Sequence, residues 1–182
     1  LYIHKHDTPF EMAGAVIEVK APIMVFREWH RHRTQSYNEL SARYTPLPNE
    51  NYVPEAADLV ERSKQSAHTA NRQASGSGTE LALGTVLDDI AALSSYYEQG
   101  QALYDRFLGH GWPKELARLP VTVGRYSRMR ASANLRNWLA FLILRESPNA
   151  QKEIRLYANA LGELLNNFFP HTLALYRSGI RT

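Results

Sequence analysis

The chain has no cysteine among its 182 residues. That excludes disulfides, thiolate zinc sites, cysteine-ligated iron–sulfur clusters and a cysteine nucleophile. It also suits a cytoplasmic setting. No apolar run approaches the roughly 20 residues of a membrane span, so no membrane partner is expected. Glycine and proline are sparse at 10 and 9 residues, too few for a fibrous or low-complexity chain. Neither a Gly-x-Gly-x-x-Gly run nor a Walker loop occurs, so a dinucleotide would have to bind without a Rossmann fingerprint. A serine–histidine–acid set can be composed from Ser41, His32 and Glu39, but no Gly-x-Ser-x-Gly elbow supports it. The opening, Leu1-Tyr2-Ile3-His4-Lys5-His6, is not a secretory signal. It reads like the interior of a longer sequence, and an N-terminal segment is expected upstream.

Acidic residues are missing where basic ones gather. Lys and Arg outnumber Asp and Glu by only 21 to 18. Yet residues 114–182 hold eleven Lys/Arg against four acids. Between Leu116 and Arg145 stand six arginines and no acid. Such a stretch predicts an anionic partner: a phosphorylated small molecule, a duplex or an acidic protein. With 44% hydrophobic and 21% charged residues, the composition is globular. The length suits a single domain over residues 1–182, large enough to need no metal or disulfide staple.

Residues 14–20 alternate loosely and are β-branched, which predicts a strand. Pro22 then opens a short helix from Ile23 to about His32. From Thr34 to Pro54 the chain is polar and holds three prolines, a loop with one short extended piece. Residues 55–73 have helical composition, and Ser75-Gly76-Ser77-Gly78 reads as a flexible break. Leu83, Leu87, Ile90, Ser94, Tyr97, Gln101, Tyr104 and Leu108 mark one face of a helix from about Thr79 to Leu108. Pro113 starts a short helix to about Arg118. A helix is then predicted from about Thr122 to Arg145, and a last one from about Ala150 to Phe169. The class is α+β with helix in excess. One visible strand makes no sheet, so its partners must lie in the polar loop or upstream of Leu1.

Three polar clusters could carry chemistry. In the run from Arg31 to Tyr44, Arg31 and Arg33 flank His32, and Arg43 follows Ser41. Guanidiniums bind phosphate through paired donors, and a serine hydroxyl with loop N–H groups adds more. The alternative for this run is a solvated charged loop. The second cluster is Arg118, Arg125, Arg128, Arg130, Arg136 and Arg145, where Asn134 and Arg145 would share a helix face eleven residues apart. Its alternative is a basic face paired with acids elsewhere. The third is His4-Lys5-His6-Asp7, but no complete metal ligand set accompanies it, and no metal is expected. Trp29, Tyr37, Tyr44 and Trp138 could offer aromatic faces to a ligand, with core packing favoured for Trp138.

Arg31-His32-Arg33, seven further residues and Ser41 resemble the Arg-His-Arg-x7-Ser signature of the flavin-dependent thymidylate synthases. The likeness extends to His6-Asp7-Thr8-Pro9-Phe10-Glu11, Lys20-Ala21-Pro22-Ile23, Arg27-Glu28-Trp29 and Ser36 to Tyr44. It resumes at Leu116-Ala117-Arg118, Asn134-Leu135-Arg136-Asn137-Trp138, Phe141 to Arg145 and Ala150 to Ile154. It is weakest over residues 55–112. The resemblance implies a small, mostly antiparallel sheet packed with several long helices. It also implies reductive methylation of dUMP to dTMP with 5,10-methylenetetrahydrofolate and FAD, the flavin being reduced by NAD(P)H. An unrelated synthase for the same product needs a cysteine nucleophile, which this chain cannot supply.

Residue by residue, the resemblance implies that Arg31, His32 and Arg33 hold FAD, with Arg31 also reaching the nucleotide. Asn38 and Glu39 would line the flavin site, Glu39 touching dUMP as well. Leu40, Ser41, Ala42 and Arg43 would bind the dUMP phosphate with Arg118, and Glu28 would lie at its sugar. Asn134 and Arg136 would contact FAD, with His6 and Thr8 against the flavin. Arg145 would sit at the uracil edge and stabilise negative charge developing on the ring, which makes it the expected catalytic residue. Ser41 is expected to bind and not to attack, because no adjacent base is evident. Ala140 stands where the family often has Asn or His, and Asn149 where His is common. Family members are homotetramers with shared active sites. The competing readings are a non-catalytic flavin- or nucleotide-binding relative and a basic helical module for nucleic acid. The latter leaves the ordered Arg31–Tyr44 motif without a reason, so no nucleic acid is expected.

Overall fold

The computed structural model describes residues 1–68 and 80–179. The predicted break at Ser75–Gly78 lies outside them. Among the described residues, three strands and seven helices follow in the order β1 (Gly14–Pro22), α1 (Ile23–Trp29), β2 (Ser36–Glu39), α2 (Ala56–His68), α3 (Leu83–Gly109), α4 (Lys114–Ala117), β3 (Tyr126–Asn134), α5 (Leu135–Arg145), α6 (Lys152–Phe168) and α7 (Pro170–Arg177). A 3₁₀ turn, Thr8–Glu11, precedes them. The class is α+β, as expected, with one small sheet in the order β1-β3-β2.

The central strand is where the sequence reading fails. The helix predicted from about Thr122 begins only at Leu135, and Tyr126–Asn134 is β3. Its residues alternate in the way a strand requires: Ser127, Met129 and Ala131 are buried, while Arg128 and Arg130 are exposed. Arginine and alanine favour helix locally, but β3 gains ladder bonds on both sides, which a helix would forfeit. β2 pairs antiparallel to it, Ser36 opposite Ser132 and Glu39 opposite Met129. Along β1, a Cβ on Gly14 would lie 3.0 Å from Ala133 O, so a larger residue there would press the two backbones apart by a few tenths of an ångström. The missing strands were thus one in the polar loop and one inside the predicted helix.

The chain divides into two compact units. The first comprises Leu1–Val19, Val25–Glu39 and the chain from Met129 on. Its core gathers Trp29, Trp138, Phe141, Leu142 and Ile154, all fully buried. Phe141 lies at ring-centroid distances of 4.5 Å from Trp29 and 6.0 Å from Trp138. α5 begins at Asn134, whose side chain accepts a 3.0 Å bond from the Asn137 N–H and satisfies one orphan donor of the first turn. α6, where the last helix was predicted, buries Ile154, Ala158, Leu161 and Leu165 and leaves Phe168 exposed. Pro170 then starts α7, a helix that the sequence reading missed. α1 ends at Trp29, three residues short of the predicted His32.

The second unit comprises Lys20–Met24 and Leu40–Arg128. Here α3 packs against α2 and α4. Of the stripe predicted on α3, Tyr104 is buried, while Leu83 and Leu87 are exposed and Val86 takes the core position instead. The chain after β2 is fastened to the start of β3. Tyr52 N–H donates to Gly124 O and Tyr126 N–H to Glu50 O, both at 2.9 Å. Arg125, 2% exposed, donates through Nη1 to Pro48 O at 2.8 Å and to Asn49 Oδ1 at 3.3 Å.

Candidate active site

The residues singled out from the sequence divide between the two units. In the first unit, the turn after α1 presents Arg31 and Arg33 to solvent and turns His32 inward. Four bonds hold that turn. Tyr37 Oη donates to His32 O at 2.6 Å and to Trp29 O at 3.2 Å. Trp29 Nε1 donates to Gln35 Oε1 at 3.0 Å, and Asn137 Nδ2 to Thr34 O at 3.2 Å. Burial pushes the Tyr37 hydroxyl up to about 12, so it remains a donor at neutral pH. Trp29 is fully buried by the same packing, so it offers no face to a ligand, contrary to the expectation. Trp138 is buried as favoured.

His32 meets Arg145 inside this unit. Arg145 Nε donates to His32 Nε2 at 2.7 Å. The Glu28 carboxylate accepts from Arg145 Nη1, and Glu28 O accepts from Nη2 at 3.4 Å. The His32 ring lies 4.7 Å from that of Phe141, one helical turn before Arg145. Burial, then the nearby Arg145 charge, lowers His32 from 6.5 to about 4, with Glu28 opposing. The imidazole is therefore neutral at pH 7, and its Nε2 lone pair faces the guanidinium. The sequence marked all three residues as candidates without indicating that they touch.

Other first-unit residues have partners already. Arg136 forms an ion pair with Glu11 and lies 3.8 Å from Asp7 through Nε. Asn134 is not inside the helix as predicted. It caps the start of α5, its side chain spent on the Asn137 N–H, while Arg145 is the last residue of that helix. The reason is the strand–helix switch, which starts the helix only at Leu135. Asn38 and Glu39 are successive residues of β2, so their side chains leave opposite faces of the sheet. His6 and Thr8 are exposed at the 3₁₀ turn. By contrast, no acid pairs with Arg31 or Arg33 among the described residues.

The second unit holds the other half of the signature. Tyr44 and Thr45 N–H both donate to Ser41 O at 3.1 Å, which closes a tight turn. Arg43 N–H donates to Ser41 Oγ at 3.4 Å. Leu40 N–H is spent on Arg128 O at 2.8 Å, whereas those of Ser41 and Ala42 have no partner among the described residues. α4 delivers two more groups to this turn, Glu115 and Lys114, while Arg118 bonds back onto its own helix. Glu115 Oε2 accepts from Arg43 Nε at 2.8 Å, Lys114 Nζ donates to Tyr44 O at 2.8 Å, and Arg118 Nε donates to Glu115 O at 3.3 Å. The structure thus gathers Ser41 and Arg43 with Lys114 and Glu115, whereas the bond of Arg118 is to Glu115 O. Sequence reasoning missed Glu115 and Lys114; the only available signal was their place just before Arg118. No imidazole, amine or carboxylate bonds Ser41 Oγ among the described residues, so nothing there activates it as a nucleophile.

Each unit thus carries a cluster rich in guanidinium and backbone donors, one of them with a neutral histidine against an arginine, and such donors are the chemistry that anions take. The chain belongs to the thymidylate synthase complementing protein family, whose sequence profile matches residues 1–171. A flavin-dependent thymidylate synthase of Anaplasma marginale (strain St. Maries) is 37% identical over 173 residues, covering 95% of this chain and 57% of that protein. One from Thermus thermophilus is 38% identical over 176 residues, covering 95% and 60%. The chain therefore spans well under two thirds of these relatives' length. Among solved structures, a UMP/dUMP methylase, PolB, of Streptomyces cacaoi bound with 5-Br dUMP superposes with a TM-score of 0.81 at 29% identity. That match covers 96% of this chain and 74% of the other. A second structure of the methylase, bound with 5-Br UMP, gives a TM-score of 0.79 at 30% identity.

Proposed function

We propose that this chain carries out flavin-dependent thymidylate synthesis, the reductive methylation of dUMP to dTMP. FAD would be the bound cofactor, with NAD(P)H and 5,10-methylenetetrahydrofolate as co-substrates, in a cytoplasmic homotetramer with shared active sites. The observation that carries this reading is the grouping of Glu28, His32 and Arg145 beside the unpaired Arg31 and Arg33, all from stretches that carry the family resemblance. The donor set fits FAD: two exposed guanidiniums without acids suit a pyrophosphate, which takes paired N–H donors. When bound, the flavin supplies the hydride and mediates the one-carbon transfer.

The chain's own residues would do the following. Arg31 and Arg33 hold the cofactor phosphates. Ser41 Oγ, the N–H groups of Ser41 and Ala42, and the charges of Arg43 and Arg118 take the nucleotide phosphate. Arg145 keeps outer N–H groups free after its bonds to His32 and Glu28, and presents them to the uracil edge. There its charge stabilises the negative charge that develops on the ring, in a setting where water screens it little.

The test uses the full-length protein without oxygen. A flavin spectrum that bleaches on adding NAD(P)H, followed by dTMP formation once dUMP and methylenetetrahydrofolate are added, is the expected result. No flavin after incubation with excess FAD would overturn it. Arg145→Ala should abolish dTMP formation while flavin remains bound, and normal turnover in that variant would refute the role given to Arg145. The likeness to a UMP/dUMP methylase favours one second reading, methylation of UMP. Product formed from UMP and from dUMP under the same conditions separates the two.

A further inference from the structure

We propose that His32 is a positioning residue that acts through Arg145: its unprotonated Nε2 accepts the Arg145 Nε–H and, with Glu28, fixes which edge of the guanidinium faces the nucleotide. This deepens the function proposed above and rests on it. The family resemblance implies only that His32 holds the flavin, and in this structure its Nε2 is already committed to Arg145.

The geometry constrains both partners. An arginine Nε always carries a proton, so the nitrogen 2.7 Å away must offer a lone pair. His32 is then the tautomer protonated at Nδ1, and only that N–H can serve a ligand. The ring cannot turn freely, because Phe141 packs against it at 4.7 Å and the Tyr37 hydroxyl holds the His32 carbonyl at 2.6 Å. Glu28 occupies Nη1, and its own carbonyl takes Nη2. Three bonds thus orient the guanidinium and leave one N–H on Nη1 and one on Nη2 for a ligand. Without His32 the guanidinium would rest on Glu28 alone, and one of those two contacts is long at 3.4 Å. The low proton affinity of His32, caused first by burial, keeps the acceptor available at neutral pH.

The test combines nitrogen NMR of the histidine side chains with dUMP titrations of the full-length protein, in wild type, His32→Gln and His32→Leu. Gln can return an acceptor oxygen near the Nε2 position, and Leu cannot. Expected are an Nδ1–H tautomer for His32, a loss of dUMP affinity of about 10-fold or more in His32→Leu, and affinity within about 3-fold of wild type in His32→Gln. An Nε2–H tautomer or an imidazolium near neutral pH would overturn the proposal. So would a His32→Leu protein that melts like wild type and binds dUMP unchanged, or a His32→Gln protein that loses as much as His32→Leu. Should His32→Leu not fold, the tautomer and His32→Gln decide. If wild type binds no dUMP, the nucleotide reading fails separately, and the nitrogen spectrum still shows whether His32 holds Arg145.

Discussion

Lowering the pH from about 7.5 to about 5 should destabilise this protein more than it destabilises its His32→Gln variant. In the folded chain His32 is lowered from 6.5 to about 4, so it is neutral in the native state and protonated below pH 6.5 in the unfolded one. The unfolded state then binds the extra proton, and stability falls with falling pH. The contribution is complete above pH 6.5 and is lost progressively as the pH falls toward 4. The drop from 6.5 to about 4 sets a ceiling of about 3.4 kcal/mol over the whole window. By pH 5 about 2 kcal/mol of that would be lost, and because His32 is only half-buried, solvent screening reduces the expected effect to about 1 kcal/mol. Urea unfolding of both proteins across this range measures it. Other titrating groups are common to the two chains and cancel in the difference. Parallel stability curves would refute the argument that His32 is held neutral by burial and Arg145.

Three further outcomes test the packing that supports the site. Phe141→Ala removes a fully buried ring between Trp29, Trp138 and His32, and should cost about 3–5 kcal/mol in denaturant unfolding. Asn134→Ala removes the α5 cap and should cost about 1 kcal/mol by the same assay, while Asn134→Gly should cost only a few tenths. Gly124→Ala would place a Cβ 2.3 Å from Tyr97 Oη, which now donates to Tyr52 O, and should lower stability by about 1–3 kcal/mol as that hydroxyl is displaced. An unchanged melting temperature in Gly124→Ala would refute the close approach.

Much of this molecule was legible in its residues. The pattern of β-branched residues at 14–20 located β1, Pro113 located α4, and the four-three stripe located α3 and α6. The ordered run from Arg31 to Tyr44, dense in guanidinium, hydroxyl and amide donors, raised the expectation of an anionic ligand before any contact was known. The lack of cysteine means that none of these 182 residues can supply a thiolate. These properties are local, carried by residue type and short spacing.

Only the tertiary structure decided the rest. Residues 126–134 have side chains compatible with helix, and they became the central strand because ladder partners came from far along the chain at β1 and β2. That switch turned Asn134 from a helix-face residue into a cap. The ion pair of Arg43 with Glu115 joins residues 72 positions apart, and the bond of Arg145 to His32 joins residues 113 apart. No periodicity spans such distances. Which arginines are left with charge to offer a ligand, and which histidine nitrogen carries a proton, follow from burial and from contacts that exist only once the chain has folded.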